Sequence, residues 1–508
     1  MASRRDQLNA YTFAKRRMLA SFVQSSPDGS EEGAPRPLRG VLPGIGVGVL
    51  VMAVFGAWGL FRPTAPAGWD ATGKNVIVAS KSTTRYVILK TDQEKPELHP
   101  VLNMASAKLL LGTGEDSVVT VADSVLDSGK IPRGVTVGIP YAPDRLPAAD
   151  EARAAKRWAV CERPSAGGRS IQKAALVLGT RDMAKTEGAG RLTGGDVLYV
   201  ETPDGTRYVV DASGRAYEVD KGDESLLRAV VGSENKPQHV SAAWLDTLHK
   251  GDPITFPDLT GTVGAPAHAP GQLDDSANKV GMVLRAMDNG SEQYYVVLPG
   301  RVAPVSDFVA RLLLSDERLV SLGQVGHPEE TSPGAIVPGA AFGTDHTWPT
   351  LATHPVNEAS EAVGSRSTVC SVLRDVDDDD GTTTLSTWVG TDFPATLPTG
   401  SSSAYVTPGS GQLYRQFQGA ETKAGPVFLV TDTGLRYVLQ SNADSATDDS
   451  GIGTTAKERQ QLQQEAKQAQ TALGYKDVTP APIPAAWSEF LPTGPRLSRA
   501  AARQPQGS

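Results

Sequence analysis

Apolar and polar positions alternate in short runs along most of this chain, but one run does not alternate at all. From Val41 to Phe61, twenty-one residues carry no charge. At about 1.5 Å per helical residue such a run reaches about 31 Å, enough to cross a hydrocarbon core. No other stretch approaches that length, so the pattern predicts one transmembrane helix over 41–61 with the bulk of the chain beyond it. Before it, Leu8, Tyr11, Met18, Leu19 and Phe22 predict an apolar stripe on a helix over 4–23. Ser3 serves as its N-cap and Asp6 lies in its first turn. Arg4, Arg5, Arg16 and Arg17 fall largely off the stripe. Such a helix docks on a protein partner or lies on the inner membrane surface. Residues 25–40 read as a Ser/Gly/Pro linker, completing a segment 1–40 on the near side.

Beyond the anchor, short aliphatic-aromatic runs recur. Arg85-Tyr86-Val87, Arg207-Tyr208-Val209, Tyr294-Tyr295-Val296 and Arg436-Tyr437-Val438 each continue into aliphatic residues. Three follow a turn sequence: Pro203-Asp204-Gly205, Asp288-Asn289-Gly290 and Asp432-Thr433-Gly434. A turn before such a run marks a hairpin. A short apolar helical segment is read after each: 101–111, 240–248, 308–314 and 483–491. In two of these, Trp244 and Leu248 precede Gly251 and Pro253, and Trp487 and Leu491 precede Gly494 and Pro495. Four copies of one small α/β unit follow from this pattern. Their uneven spacing predicts repeats set around a separate core, with 134–140 and 369–373 among its strands. A polar helix over 455–473, opened by a Thr455/Glu458 capping box, is expected on the surface of the last repeat.

Charge orients the anchor. Residues 1–40 hold seven basic and four acidic residues, and the whole chain is −8, so the remainder carries −11. Basic flanks stay cytoplasmic. The N-terminus is therefore expected inside and the bulk outside, as a single-pass protein of the cell membrane. A leader of about forty residues and a twenty-one-residue apolar run exceed what a cleaved signal peptide uses. The acidic outer region lacks the basic footprint that nucleic acid requires. Two cysteines, Cys161 and Cys370, fall on the outer side, where a pair of thiols usually bridges; two buried free thiols are the alternative. Neither belongs to a metal-binding spacing.

Candidate chemistry is sparse. Gly68-Trp69-Asp70-Ala71-Thr72-Gly73-Lys74 has the spacing that opens a phosphate-binding loop, making Gly68, Gly73 and Lys74 the only nucleotide-binding candidates. The eighth residue is Asn75 where Ser or Thr would hold Mg²⁺, and Val76–Val78 reads as strand where a helix is needed. A juxtamembrane linker is the better reading. No catalytic residue and no metal ligand is assigned. Asp377 to Asp380 lack the alternation and closing Glu of a Ca²⁺ loop and read as a solvated hairpin tip.

The order of these features resembles the EccB family, a membrane component of the actinobacterial type VII (ESX) secretion system. The match rests on the basic helix with Arg16-Arg17, one anchor, four degenerate repeats, two cysteines, and the closing Pro492-Thr493-Gly494-Pro495-Arg496-Leu497. Asn9-Ala10-Tyr11-Thr12-Phe13 departs from the family's Ser-Gly-Tyr-Arg-Phe. The resemblance implies a β-rich α+β outer region of four small repeats around a central disulfide-bearing domain. The expected division is 70–128 (repeat 1), 129–190 (central, Cys161), 191–258 (repeat 2), 259–325 (repeat 3), 326–402 (central, Cys370), 403–498 (repeat 4) and a disordered tail over 499–508. It further implies a scaffolding role in export of WXG100-type proteins. The implied partners are the motor ATPase EccC, EccD, EccE, other EccB copies, the membrane and peptidoglycan. No cofactor is implied unless the alternative holds, an extracytoplasmic ATPase using ATP. A wall-binding module is a third reading.

Overall fold

A computed structural model describes residues 3–23, 38–60, 65–90, 93–112, 117–165, 170–288, 290–324, 326–360, 362–398, 403–439 and 456–506. The chain divides into two units, Met1–Ala67 and Gly68–Ser508. Among the described residues the first holds two helices. Helix α1 (Arg4–Val23) is capped as expected: the Ser3 N–H donates to the Asp6 carboxylate at 3.1 Å and Ser3 Oγ accepts from the Arg5 N–H at 3.2 Å. Its stripe is weaker than expected. At 100° per residue Lys15 falls between Leu8, Tyr11 and Met18, and Phe13 falls on the far face, so the two faces contrast little. Helix α2 (Leu38–Leu60) contains the uncharged run, with Pro43 inside it; Phe61 lies outside the described residues. Among the described residues no helix is long and apolar enough to cross a membrane. The described side chains of α2 end at Gly56, and Leu42, Ile45, Leu50, Met52 and Phe55 are exposed along it.

The second unit is mixed α+β and rich in strands. Its first sheet begins with a meander, β1 (Asn75–Ala79), β2 (Arg85–Lys90) and β3 (Pro96–Val101). Helix α3 (Met104–Leu111) crosses it, β4 (Ser117–Val121) returns parallel to β1, and the one-turn α4 (Asp123–Leu126) follows. The order is β3-β2-β1-β4. An extended segment then runs back parallel to β3 through the pairs Leu98–Arg133 and Val101–Val137. Next come α5 (Ala149–Arg153) and two central strands, β5 (Arg157–Pro164) and β6 (Ile171–Leu178).

The path of the first sheet then recurs. The second copy runs β7 (Asp196–Glu201), β8 (Arg207–Asp211), β9 (Arg215–Val219), α6 (Glu224–Val231), β10 (Gln238–His239), α7 (Ala242–Leu245) and β11 (His249–Lys250). The third runs β12 (Val283–Asp288), β13 (Ser291–Leu298), β14 (Arg301–Val305), α8 (Asp307–Ser315) and β15 (Glu329–Glu330), returning beside β14 at Pro338. Strand β16 (His354–Pro355) joins the second sheet at β7. Strands β17 (Thr368–Val376), β18 (Thr383–Gly390) and β19 (Ala404–Val406) complete a central sheet of order β18-β17-β5-β6-β19. The fourth copy runs β20 (Gly411–Phe417), β21 (Val427–Thr431), β22 (Arg436–Val438), α9 (Ala456–Ala472), β23 (Ala481–Pro484) and α10 (Ala485–Ser488). Its return segment pairs Thr493 and Leu497 with Arg436 and Leu439, along and just past β22, and α11 (Arg499–Ala502) closes the unit.

Local chemistry repeats with the topology. Helices α3, α6 and α8 open on polar caps: Asn103, Asp223 and Ser306 accept from the N–H groups of Ser106, Leu226 and Val309. Each return segment carries a glycine whose N–H donates to the third strand: Gly134 to Leu98, Gly251 to Ala216, Gly339 to Val302 and Gly494 to Arg436, at 3.0, 2.8, 2.7 and 2.8 Å. The next residue of the third strand is His99, Tyr217, Ala303 or Tyr437. A Cβ at Gly134, Gly251 or Gly494 would lie 2.2, 2.3 or 2.4 Å from the ring atoms, so no side chain fits. At Gly339, opposite Ala303, the nearest atom would be 3.5 Å away.

The repeats share cores. Helix α3, the Ala466, Ala469 and Ala472 face of α9, and Leu473 just beyond it lie in one apolar cluster, joining repeats 1 and 4. Helices α6 and α8 join repeats 2 and 3 in another.

Several expectations change. The return segments lengthen the first repeat beyond 128 and the third beyond 325, so residues 134–140 belong to repeat 1 rather than to a central strand. The four helical segments expected from sequence are of two kinds. Those at 101–111 and 308–314 contain the helix that follows the meander, and those at 240–248 and 483–491 contain the one-turn helix after the fourth strand. Helix α9 is therefore the fourth repeat's own helix, and its small residues are buried rather than superficial; Thr455 lies outside the described residues. The tail is not disordered through 506. Ala502 is buried, and Gln506 donates from its N–H to Thr136 O at 2.8 Å and from its side chain to Gly138 O at 3.0 Å.

Candidate functional site

The central sheet is where the repeats are fastened. Cys161 on β5 and Cys370 on β17 stand directly opposite each other and are disulfide-bonded. Glu162, the next residue, is fully buried. Its carboxylate accepts from Ser241 twice, from the N–H at 2.7 Å and the hydroxyl at 2.5 Å, and Lys173 Nζ lies 3.5 Å away. Ser241 caps α7, and Trp244 on that helix donates its indole N–H to Val160 O at 3.0 Å. Glu162 thus pins repeat 2 to the strand that carries the bridge.

Repeat 4 presents the equivalent helix, α10, with Trp487 in the same apolar cluster as Trp244 and Trp158. A polar network fixes it. The hydroxyls of Tyr414 and Ser488 are 2.8 Å apart, and Arg436 donates to Ser488 Oγ at 2.9 Å and to Gln416 Oε1 at 2.8 Å. Burial pushes the Tyr414 phenol up to about 12, so it stays protonated throughout the physiological range.

Between α7 and α10 opens a cleft of about 750 Å³ whose walls include Lys173, Asp246, His249, Trp487, Glu489 and Phe490. Asp246 and Glu489 hold the same place in two repeats, each closing its one-turn helix. Lys173 Nζ sits 5.7 Å from the Phe490 ring centroid. His249 Nε2 is 2.7 Å from Thr383 Oγ1, and burial, with Arg215 adding to it, holds this imidazole below its usual pKa. These groups can bind a ligand of mixed character. Among the described residues no cluster of His, Cys, Asp and Glu is placed to hold a metal ion.

Between β6 and β7, Glu187 accepts from Arg191 and from Arg157 and Arg374 of the central sheet. The hydrogen bond to Arg374 leads in holding its carboxyl below the usual carboxylate range, against the opposing effect of burial. A carboxyl lowered in the folded state stabilises above its unfolded pKa of about 4.3, and that stability is lost as pH falls through the folded value. Urea midpoints measured from pH 7 to pH 3 are therefore expected to fall in wild type below about pH 4.3, and less steeply in Glu187→Gln.

The loop over 68–75 is contiguous but committed to itself. Gly68 and Gly73 adopt φ of 75° and 71°. The Ala71 N–H donates to Gly68 O at 3.1 Å, the Lys74 N–H to Ala71 O at 3.3 Å, and the Gly73 N–H to Ile88 O at 2.9 Å. Asn75 donates to Gly68 O and Trp69 O at 2.9 and 3.1 Å and accepts from Ser117 Oγ at 2.7 Å. Strand β1 begins at Asn75, so no helix N-terminus follows. At the aspartate run, the Asp377 carboxylate accepts from the N–H groups of Asp379 and Asp380 at 2.8 and 3.3 Å, and Gly381 turns the chain with φ 75°.

Sequence reasoning missed Glu162, Ser241 and the contact that Gly251 and Gly494 make with the third strand. A signal existed for the first: Glu162 is the first charge after the run Trp158-Ala159-Val160-Cys161. Gly134 and Gly339 stand out only once the third strands are aligned.

The fold and the sequence have relatives. The family profile described as type VII secretion system ESX-1, transport TM domain B, matches residues 1–507. The chain belongs to this family of type VII secretion components, the EccB proteins. The "ESX-1 secretion system ATPase EccB1" of Mycolicibacterium smegmatis is 26% identical, and the chain spans 60% of its length. The "ESX-3 secretion system ATPase EccB3" of the same species is 26% identical over 97% of this chain and 89% of that one. Among solved structures, a chain of an intact ESX-5 inner membrane complex gives a TM-score of 0.55 at 20% identity, covering 100% of this chain and 96% of that one. The EccB3 dimer from the ESX-3 core complex gives 0.54 at 24%, covering 84% and 99%.

Proposed function

We propose that this chain is a scaffolding subunit of a type VII secretion inner membrane complex, anchored once by α2 with the repeat-bearing unit outside. The observation that carries the reading is four copies of one fold fused through shared cores to a disulfide-bridged central sheet. Such a body resists deformation and offers wide, non-identical surfaces. The anchor reading is supported by the uncharged run and by its exposed aliphatic side chains, which only lipid or a partner helix covers favourably. Helix α1 docks inside, and EccC, EccD, EccE and further copies of this chain are the proposed partners. Peptidoglycan contact through the outer repeats is compatible with this role.

The relatives carry the word ATPase in their names, which gives the enzymatic alternative its weight. The internal commitments of the 68–75 loop favour the scaffold. The test is purification of the full chain in mild detergent from cells that express the whole system. Recovery in one large complex, with ATP hydrolysis unchanged by Lys74→Ala, is expected. Recovery as a free monomer, or hydrolysis abolished by Lys74→Ala, overturns the proposal.

A further inference from the structure

The fourth strand of each repeat lies at the end of the meander's sheet, and in three repeats it is blunted. β10 has two residues, preceded by Pro237. β15 is two glutamates, preceded by Pro328. β23 reads Ala481-Pro482-Ile483-Pro484, so alternate residues lack an N–H. Shortness, charge and proline all discourage a further strand from adding. β4 has none of these. It runs Ser117-Val118-Val119-Thr120-Val121, five residues without proline or charge, and among the described residues only β1 pairs with it.

The register fixes where its backbone points. Ala79 stands opposite Val121, and the Ser80 N–H donates to Val121 O at 2.9 Å. On the other side of β1 the Ala79 N–H donates to Thr84 O, also at 2.9 Å. Ser117, Val119 and Val121 therefore turn their N–H and C=O groups toward β1, while Val118 and Thr120 turn theirs outward. The Val118 side chain is exposed as well.

We propose that β4 pairs antiparallel with β4 of a second copy of this chain, joining two four-stranded sheets into one continuous sheet. This rests on the reading that the complex holds further copies. The two-fold axis passes at Val119. Val118 then exchanges backbone hydrogen bonds with Thr120 of the partner subunit, and the reverse pair does the same. Val119 meets its own twin as a non-hydrogen-bonded pair, with Cα atoms about 4.5 Å apart. In a self-pairing strand like charges oppose each other near the axis. The uncharged β4 tolerates this, and the glutamates of β15 do not.

The test uses the full chain in detergent with Val119→Cys, oxidised under mild conditions. A covalent dimer on a non-reducing gel is expected. Adding Val118→Pro, which removes an outward donor and leaves the bonds to β1, should abolish that dimer while circular dichroism and the Cys161–Cys370 bridge stay unchanged. A multi-copy complex by sedimentation in which the thiol introduced by Val119→Cys neither cross-links nor resists maleimide would overturn the edge pairing and leave the multi-copy reading standing. Protection without cross-linking would assign the edge to a different partner and also overturn it. A monomer, under conditions that keep the other subunits together, would overturn both readings.

Discussion

Replacing Cys161 and Cys370 together by alanine is expected to lower the unfolding free energy by up to about 5 kcal/mol. The bridge spans 209 residues, and that interval contains the whole of repeats 2 and 3. On the chain-entropy account, a loop of that length is among the costlier ones to leave open in the unfolded ensemble. Alanine is the right replacement because both sulfurs lie in a cluster with Leu176, Leu178 and Val372, where a serine hydroxyl would add a buried polar group. The urea midpoint of the oxidised wild type, the reduced wild type and the double variant decides the matter. Equal midpoints for oxidised and reduced protein would show that the paired strands β5 and β17 hold the centre without help.

The second large effect is expected at Trp244. Trp244→Ala should cost about 3–5 kcal/mol, the range for deleting a large aromatic from a packed core. Trp244 is completely buried, and its loss removes the indole N–H that the Val160 carbonyl accepts. It also leaves α7 held to the central sheet mainly through Ser241 and Glu162. The effect should be local as well as global, so limited proteolysis should find new cleavage between residues 240 and 250. Trp487→Ala in repeat 4 gives a comparison from the same apolar cluster, with the Tyr414–Ser488–Arg436 network still holding its helix. A cost below about 1 kcal/mol at Trp244 would mean that the docking interface can close over the gap.

The repetition was legible because hairpin strands announce themselves locally. Arg-Tyr-Val or Tyr-Tyr-Val followed by aliphatic residues, in three copies after a turn that ends in Gly, needs no tertiary information to be read. The helices were harder. In α9 apolar contacts are made by alanines spaced along a run of Gln, Glu and Lys, a pattern that looks superficial until α3 is seen to cover it. The return segments escaped for a different reason. Residues 131–139 and 493–497 pair through a few bridges to a third strand, and such pairings depend on partners distant in sequence. After the 68–74 loop a strand was expected from Val76, and β1 begins there at Asn75. The cleft between α7 and α10 was not readable, because its walls come from repeats 2 and 4 and the central sheet at once.

The closing helix α11 has a consequence for how the molecule is made. Arg499 reaches the Leu110 carbonyl across 389 positions of chain, and Ala502 is buried in the cluster that contains α3. The first repeat thus waits for α11 before its apolar surface is covered. Contacts this distant form slowly, and an uncovered surface in the interim attracts other chains. Folding of this unit is therefore completed from α11 backward, and removing residues 499–508 should be felt first in the repeat built on β1 to β4.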